Sequence, residues 1–215
     1  RATFGNVYRK EKHCSVRPCM PRRMLVAMQM EEFMTRRYEL RFNRMKGCKE
    51  YRERHSLFTD YRPVTAEAVK SICFEAQLEG ISAIEYDVQR YVDSRRVSHY
   101  WPIEEFLFDL PHWDGQDRIR ALADCVPCEN KEWRDFFYIW FLSMVAHWLQ
   151  MDREHANSTS PLLVGPQGCR KSSFCQSLLP PELRPYYVDG IDLGSRKDAE
   201  MALNRFALIN LDEFD

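Results

Sequence analysis

The stretch Gly165-Pro166-Gln167-Gly168-Cys169-Arg170-Lys171-Ser172 constrains the fold of this chain more than any other. It follows a short apolar run over residues 161–164 and precedes a predicted helix over residues 172–179. A strand, a glycine-containing loop, Lys-Ser and a helix are, in that order, the parts of a phosphate-binding loop. The backbone N–H groups and the positive end of the helix surround the phosphates in such a loop.

The side chains of this loop and of a later strand have expected roles. Lys171 would neutralise the terminal phosphates, and the Ser172 hydroxyl would hold Mg²⁺. The mostly apolar run over residues 206–211 ends in Asp212 and Glu213, which would orient the Mg²⁺ shell and polarise the attacking water. The pattern thus implies ATP and Mg²⁺ as cofactors, with Lys171 and Glu213 as catalytic residues. The nucleotide-binding residues would be Gly165, Pro166, Gln167, Gly168, Cys169, Arg170, Lys171, Ser172 and Ser173.

Arg170 departs from the usual loop, which has glycine immediately before the lysine. Glycine allows the backbone to approach the phosphates closely, so a Cβ at this position could crowd the site. Two interpretations follow. Either the loop binds nucleotide with the guanidinium turned away or placed near it as an extra cation, or the loop is degenerate and binds weakly or not at all.

The charge is divided unevenly along the chain, although the net charge is only −1. Residues 1–62 carry sixteen Lys and Arg against seven Asp and Glu, whereas the remainder is acidic. A basic segment that also contains aromatic residues could contact a nucleic-acid backbone and stack on bases. The alternative is a solvated basic face that pairs with the acidic remainder of the molecule.

Hydrophobic periodicity predicts a largely helical chain before the loop. Two short strands over residues 39–43 and 49–52 would form a hairpin around Lys46-Gly47. Strands are predicted again over residues 161–164, 186–188 and 206–211, alternating with helices, which indicates a parallel sheet. Helices are predicted over residues 23–37, over residues 133–148 as an aromatic-rich core helix, and over residues 196–204. Four more are predicted between the first two of these: one capped by Thr65 and ended by Gly80, one opened by a Ser82–Glu85 capping box, one begun by Pro102, and one after Asp114.

The two helices around Gly80 also permit a helix-turn-helix interpretation. In that case Gln89, Arg90, Arg95 and Arg96 would face DNA. Such helix pairs are also common as plain packing units, and the sequence leaves both interpretations open.

Eight cysteines occur in a chain without a visible signal peptide, which predicts reduced thiols. Cys125 and Cys128 have the spacing of half a zinc site, but no second pair matches them. The longest apolar run, over residues 136–149, is too short to span a bilayer. We therefore expect a cytoplasmic protein without a membrane partner.

Three blocks resemble the virulence-associated protein E family of phages and bacterial mobile elements. The first block is residues 100–107 together with Leu-Pro-His-Trp-Asp-Gly-Gln-Asp-Arg-Ile at 110–119. The second is residues 163–174 around the loop. The third is residues 196–198 together with Ile209-Asn210-Leu211-Asp212-Glu213. This family is similar to superfamily 3 helicases. The resemblance implies an α/β fold: a small basic, mainly helical α+β region over residues 1–97, followed by the first half of a parallel-sheet P-loop NTPase core (AAA+ or superfamily 3-like) over residues 98–215.

The same resemblance implies an ATPase that acts on nucleic acid, with DNA favoured over RNA, during replication of a mobile element. Such enzymes form homo-oligomeric rings, and their sensor asparagine and arginine finger would lie beyond Asp215. We therefore expect the ATPase domain to be incomplete at its carboxyl end. Two other hypotheses stay open: a non-enzymatic nucleic-acid-binding or scaffold protein on a degenerate loop, and a small-molecule kinase.

Overall fold

A computed structural model describes residues 20–57, 59–151, 159–191 and 194–211. In this part of the chain the protein is a mixed α/β fold with eight α-helices, one 3-10 helix over Arg184–Tyr186 and six strands. The helices are α1 Arg22–Arg37, α2 Ala66–Leu78, α3 Glu85–Val92, α4 Pro102–Phe108, α5 Arg118–Ala123, α6 Trp133–Trp148, α7 Lys171–Ser177 and α8 Arg196–Arg205. The strands are β1 Tyr38–Asn43, β2 Cys48–Glu53, β3 Arg62–Pro63, β4 Ser98–Tyr100, β5 Tyr187–Asp189 and β6 Leu208–Asn210.

The strands form two separate sheets. The first has the order β3-β2-β1-β4, and β4 lies parallel to β1 with Phe42 opposite His99. The hairpin β1–β2 turns at Gly47, whose φ of +65° explains why glycine stands there. The second sheet pairs β5 with β6 in parallel, so both strands end at the same edge. The predicted hairpin and the predicted parallel pairing are confirmed.

The chain divides into two compact units, each made of two separate segments of the sequence. The first unit comprises residues 1–39 and 51–96, and the second comprises residues 40–50 and 97–215. The strands β1 and β2 therefore contribute residues to both units. The sequence-based domains, residues 1–97 and 98–215, stay a prediction.

The core of the first unit consists of the apolar faces predicted from helical spacing. The helix α1 buries Val26, Met30, Phe33 and Met34 at intervals of three and four residues. Thr65 caps α2 by accepting a hydrogen bond from the Ala68 N–H at 3.2 Å. The apolar side of α2 and of α3 is then buried at Ala68, Val69, Ile72, Cys73, Ala76, Val88 and Val92.

The start of α3 differs from the predicted capping box. The helix begins at Glu85, and the carboxylate of Asp87 accepts a hydrogen bond from the Ile84 N–H at 3.1 Å. Ile84, the residue immediately before the helix, is 60% exposed. The acidic partner of the cap therefore lies two residues further along than the Ser82–Glu85 pattern predicted.

In the second unit, the aromatic face of α6 packs on α7, the helix that follows the loop. Phe137 is 1% exposed, and its ring centroid lies 6.1 Å from that of Phe174 on α7. Leu178, directly after α7, and Ala123 at the end of α5 complete this buried cluster. Burial of this much aromatic surface fixes α7, and with it the end of the loop, against α6.

A second buried cluster holds the two short parallel strands in the same unit. It contains Leu179, Leu183, Tyr186 and Ala207. Leu208 of β6 packs against both clusters, which joins the packing of α7 to that of β6. The indole N–H of α6 Trp148 donates to the Ala207 carbonyl at 2.9 Å.

Two sequence predictions about this unit are wrong. The helix α6 was expected to be buried nearly all round, but Phe136 and Ile139 are 57% and 61% exposed. The buried residues of α6, Phe137 and Met144, are seven positions apart and lie on one side of the helix. The predicted strand over residues 161–164 does not form in the described part of the chain, where Leu162 and Val164 point into solvent. Apolar composition favours a strand, but a strand also requires a partner for its backbone hydrogen bonds.

Candidate functional site

The predicted phosphate loop turns through two residues with left-handed backbone. Residues 167–169 form a turn, and Gly168 and Arg170 have φ values of +80° and +66°. Arg170 immediately precedes α7. The position where the usual loop has glycine therefore has the conformation that favours glycine, and arginine adopts it at a cost.

The Lys171 ammonium lies inside the curve of this loop. Its Nζ donates to the Gly165 carbonyl at 2.9 Å and to the Pro166 carbonyl at 3.2 Å, and it lies 3.8 Å from Cys169 Sγ. A Cβ at Gly165 would meet Cys169 Sγ at 3.2 Å, so the start of the loop fits best without a side chain. The Lys171 ammonium thus binds the two residues at the start of the predicted loop.

The other predicted site residues lie on the same exposed loop or just after it. Pro166, Gln167, Gly168, Cys169 and Arg170 are exposed, Ser172 is half-buried, and Ser173 is exposed on α7. The other half of the predicted site, Asp212 and Glu213, lies outside the described residues.

Arg170→Gly is expected to stabilise the protein by up to about 1 kcal/mol, because glycine adopts φ near +66° without the Cβ penalty. Denaturant unfolding followed by circular dichroism measures the change. The matched variant is Gly168→Ala, where a Cβ meets nothing within 4 Å but the φ is +80°. It should destabilise the protein by about 1 kcal/mol. An unchanged or lowered stability of Arg170→Gly would show that the left-handed backbone at Arg170 is not strained.

The carboxyl edge of the β5–β6 sheet carries two polar side chains that the sequence analysis did not single out. Asp189 ends β5 and Asn210 ends β6, and the two residues are register partners. Asn210 Nδ2 donates to Asp189 Oδ1 at 2.9 Å, and the Tyr187 hydroxyl donates to the same oxygen at 2.5 Å. Burial and this hydrogen bond raise the pKa of Tyr187. A polar residue directly after a predicted parallel strand was the signal available in the sequence.

A buried carboxylate organises the hairpin part of the same unit. Glu50 is 2% exposed and accepts hydrogen bonds from Lys46 Nζ at 3.0 Å, Arg41 Nε at 2.8 Å and Asn43 Nδ2 at 3.3 Å. Burial alone raises the pKa of Glu50, but these three hydrogen bonds outweigh it, so the pKa lies below its usual 4.5. Asn43, which is fully buried, also donates to the Tyr186 hydroxyl at 2.7 Å.

Tyr186 connects this carboxylate to the short parallel sheet. Burial raises its pKa to about 12, against the lowering effect of the hydrogen bond from Asn43. Its carbonyl accepts a hydrogen bond from the Ala207 N–H at 2.7 Å, and β5 begins at the next residue. The hairpin residues 40–50 are therefore part of the unit that holds the loop and not of the first unit.

Ion pairs use many of the arginines in the basic segment. In the first unit Glu79 binds Arg36 and Arg37, and Glu39 binds Arg52 at 2.5 Å and Arg54 at 2.9 Å. The Glu79 pairs agree with the interpretation in which basic residues are matched by the acidic remainder of the molecule, whereas Glu39 belongs to the basic segment itself. They leave less uncompensated positive charge for a nucleic acid than the count of Lys and Arg indicates.

The helix pair α2–α3 only partly presents the side chains of the helix-turn-helix interpretation. Gln89 donates to Asp93 at 2.9 Å, and Arg96 pairs with Glu31 at 3.1 Å. Arg90 and Arg95 are exposed.

Among the described residues, no helix has the length and apolarity that crossing a bilayer requires. In the same ranges, no three His, Cys, Asp or Glu side chains converge as metal ligands, and Cys125 and Cys128 are exposed free thiols.

The fold is thus that of a mixed α/β protein in which a tight loop precedes a helix and two parallel strands follow. The family profile of the virulence-associated protein E-like domain matches residues 107–215, which is half of the chain. The chain belongs to this family, as the resemblance of the three sequence blocks predicted. Membership suggests a protein of a phage or another mobile element. No curated protein and no solved structure shows a significant match to the chain.

Proposed function

We propose that this protein binds Mg-ATP on the loop over residues 165–173 and hydrolyses it while acting on the DNA of a mobile element. The observation that carries the proposal is the position of Lys171. Its ammonium is bound by the carbonyls of Gly165 and Pro166, so a positive charge already lies within the loop. Phosphate oxygens would replace those carbonyl oxygens as acceptors, and a charge-assisted hydrogen bond to phosphate is stronger than one to a neutral carbonyl.

The loop residues suit phosphate oxygens in three respects. Gly165 leaves the space that a Cβ would take from Cys169, and the positive φ of Gly168 and Arg170 closes the turn. Lys171 supplies the point charge that phosphate binders of this kind use. Ser172, the first residue after the lysine, would supply its hydroxyl to Mg²⁺, together with Asp212.

Each of the four proposed site residues would then have one role. Lys171 neutralises phosphate charge, Asp212 and Ser172 hold the metal, and Glu213 accepts the proton of the attacking water. Mg²⁺ supplies charge stabilisation on the phosphates when it is bound. Catalysis of this kind depends on positioning and electrostatics rather than on covalent chemistry with the protein.

The nucleic-acid partner and the ring assembly are also proposals. Family similarity to superfamily 3 helicases favours single-stranded DNA and a homo-oligomer in which a neighbouring subunit contributes an arginine. The ion pairs of the first unit direct attention to the exposed cations Arg90 and Arg95 rather than to the whole basic segment.

The test is a measurement of Mg-ATP affinity by calorimetry and of phosphate release, each with and without single-stranded DNA. We expect saturable binding that requires Mg²⁺ and hydrolysis that DNA accelerates. DNA binding without any affinity for nucleotide would instead support the non-enzymatic alternative. Phosphate transfer to a small acceptor in place of water would support the kinase alternative.

A further inference from the structure

The ends of β5 and β6 are joined by more than the strand ladder. The Gly190 N–H donates to the Asn210 carbonyl at 2.7 Å, directly beyond the last register pair. The side chains add the bond from Asn210 Nδ2 to Asp189 Oδ1 and the bond from the Tyr187 hydroxyl to the same oxygen. Asn210 is thus held at both its carbonyl and its amide.

These side-chain hydrogen bonds are exposed to solvent, because Asp189 lies at the surface. Exposed hydrogen bonds of this kind contribute modestly to global stability. Their position is more informative. β6 has only three residues, and in the described part of the chain it pairs with β5 alone. The end of so short a strand frays readily unless it is tied down.

We propose that Asp189 is a positioning residue for the acidic pair. By holding the Asn210 amide, Asp189 fixes the direction in which the chain leaves β6, two residues before Asp212. The inference deepens the proposed function and rests on it for its catalytic meaning. Asp189 acts here as a hydrogen-bond acceptor, and its negative charge is not what the role requires.

The variants Asp189→Ala and Asp189→Asn separate these properties, because asparagine keeps an acceptor oxygen for both donors and loses the charge. We expect Asp189→Ala to lower kcat for ATP at least about tenfold, with a smaller loss of Mg-ATP affinity because Lys171 and Ser172 are unchanged. Asp189→Asn should retain kcat within about threefold. Asp198→Ala removes another exposed carboxylate of the same unit, on α8, and should change neither quantity.

Amide hydrogen exchange of the peptide over residues 206–211 provides a readout that does not depend on hydrolysis. Exchange should be at least about tenfold faster in Asp189→Ala, and unchanged in Asp189→Asn and Asp198→Ala. Unaltered exchange in Asp189→Ala would overturn the proposal. Equal losses of kcat in both Asp189 variants would also overturn it, because they would show that the negative charge of Asp189 is required, as for a metal ligand. If the wild-type protein does not bind ATP and Asp189→Ala still exchanges faster than wild type, the proposed function is refuted and the tether at Asn210 stands.

Discussion

Lys171→Ala is expected to weaken Mg-ATP binding about 10- to 100-fold, the equivalent of losing one strong charge-assisted contact. In the free protein the ammonium is held by the Gly165 and Pro166 carbonyls, so its position within the loop does not have to be created when the nucleotide binds. Alanine removes the charge and leaves those carbonyl oxygens facing the phosphates. Both changes oppose binding of an anion.

The matched control is Lys197→Ala, which removes an exposed lysine near the start of α8 in the same unit. Calorimetric titration with Mg-ATP at about 0.1 M salt compares the two variants, because general electrostatic attraction is then largely screened. We expect wild-type affinity for Lys197→Ala. Equal affinities of Lys171→Ala and the wild type would show that nucleotide does not bind on this loop. Circular dichroism confirms that both variants remain folded.

Glu50→Ala is expected to reduce the free energy of unfolding by about 3–5 kcal/mol, the usual effect of removing one partner from a buried ion pair. Glu50 is 2% exposed, and it lies between Arg41, whose side chain is 20% exposed, and Lys46. Alanine leaves both cations without this carboxylate and leaves a cavity beside Asn43. Urea unfolding at pH 7 measures the loss. The control is Glu200→Ala on α8, an exposed pair with Arg196 whose removal should cost less than about 0.5 kcal/mol.

The contribution of Glu50 should depend on pH in a defined direction. Its pKa in the folded protein lies below the usual 4.5, so the folded state favours the ionised carboxylate. That stabilisation is complete above the unfolded pKa and is lost as the pH falls through the folded pKa. The difference in stability between wild type and Glu50→Gln should therefore be constant near neutral pH and shrink below about pH 4.5. A difference that grows on acidification would contradict the direction of the pKa.

Local pattern was enough to predict most helices and the hairpin of this protein. The spacing of Val26, Met30, Phe33 and Met34 predicts the buried face of α1, because helix geometry places these residues on one side whatever surrounds them. Capping by Thr65 and the left-handed turn at Gly80 are equally local, and both are present. The order of loop, helix and two further strands also followed from the sequence.

Prediction failed where the outcome depends on which neighbour is present. Residues 161–164 are apolar enough for a strand, but the described sheet offers them no hydrogen-bonding partner. In the same way the composition of α6 indicates burial all round, yet Phe137 and Met144 are buried while Phe136 and Ile139 are exposed. The assignment of residues 40–50 to the second unit depends on Asn43 reaching Tyr186, a contact far apart in sequence.

By itself the sequence determined the family, the residues of the candidate loop and the amphipathic faces of the helices. These properties reside in residue identity and short spacing, which the chain carries before it folds. Only the tertiary structure decided that Lys171 lies against the loop carbonyls, that Arg170 takes a left-handed backbone, and that Asp189 binds Asn210. Such features arise from hydrogen bonds and packing that can form only once the loop has closed and separate strands have met at one edge of a sheet.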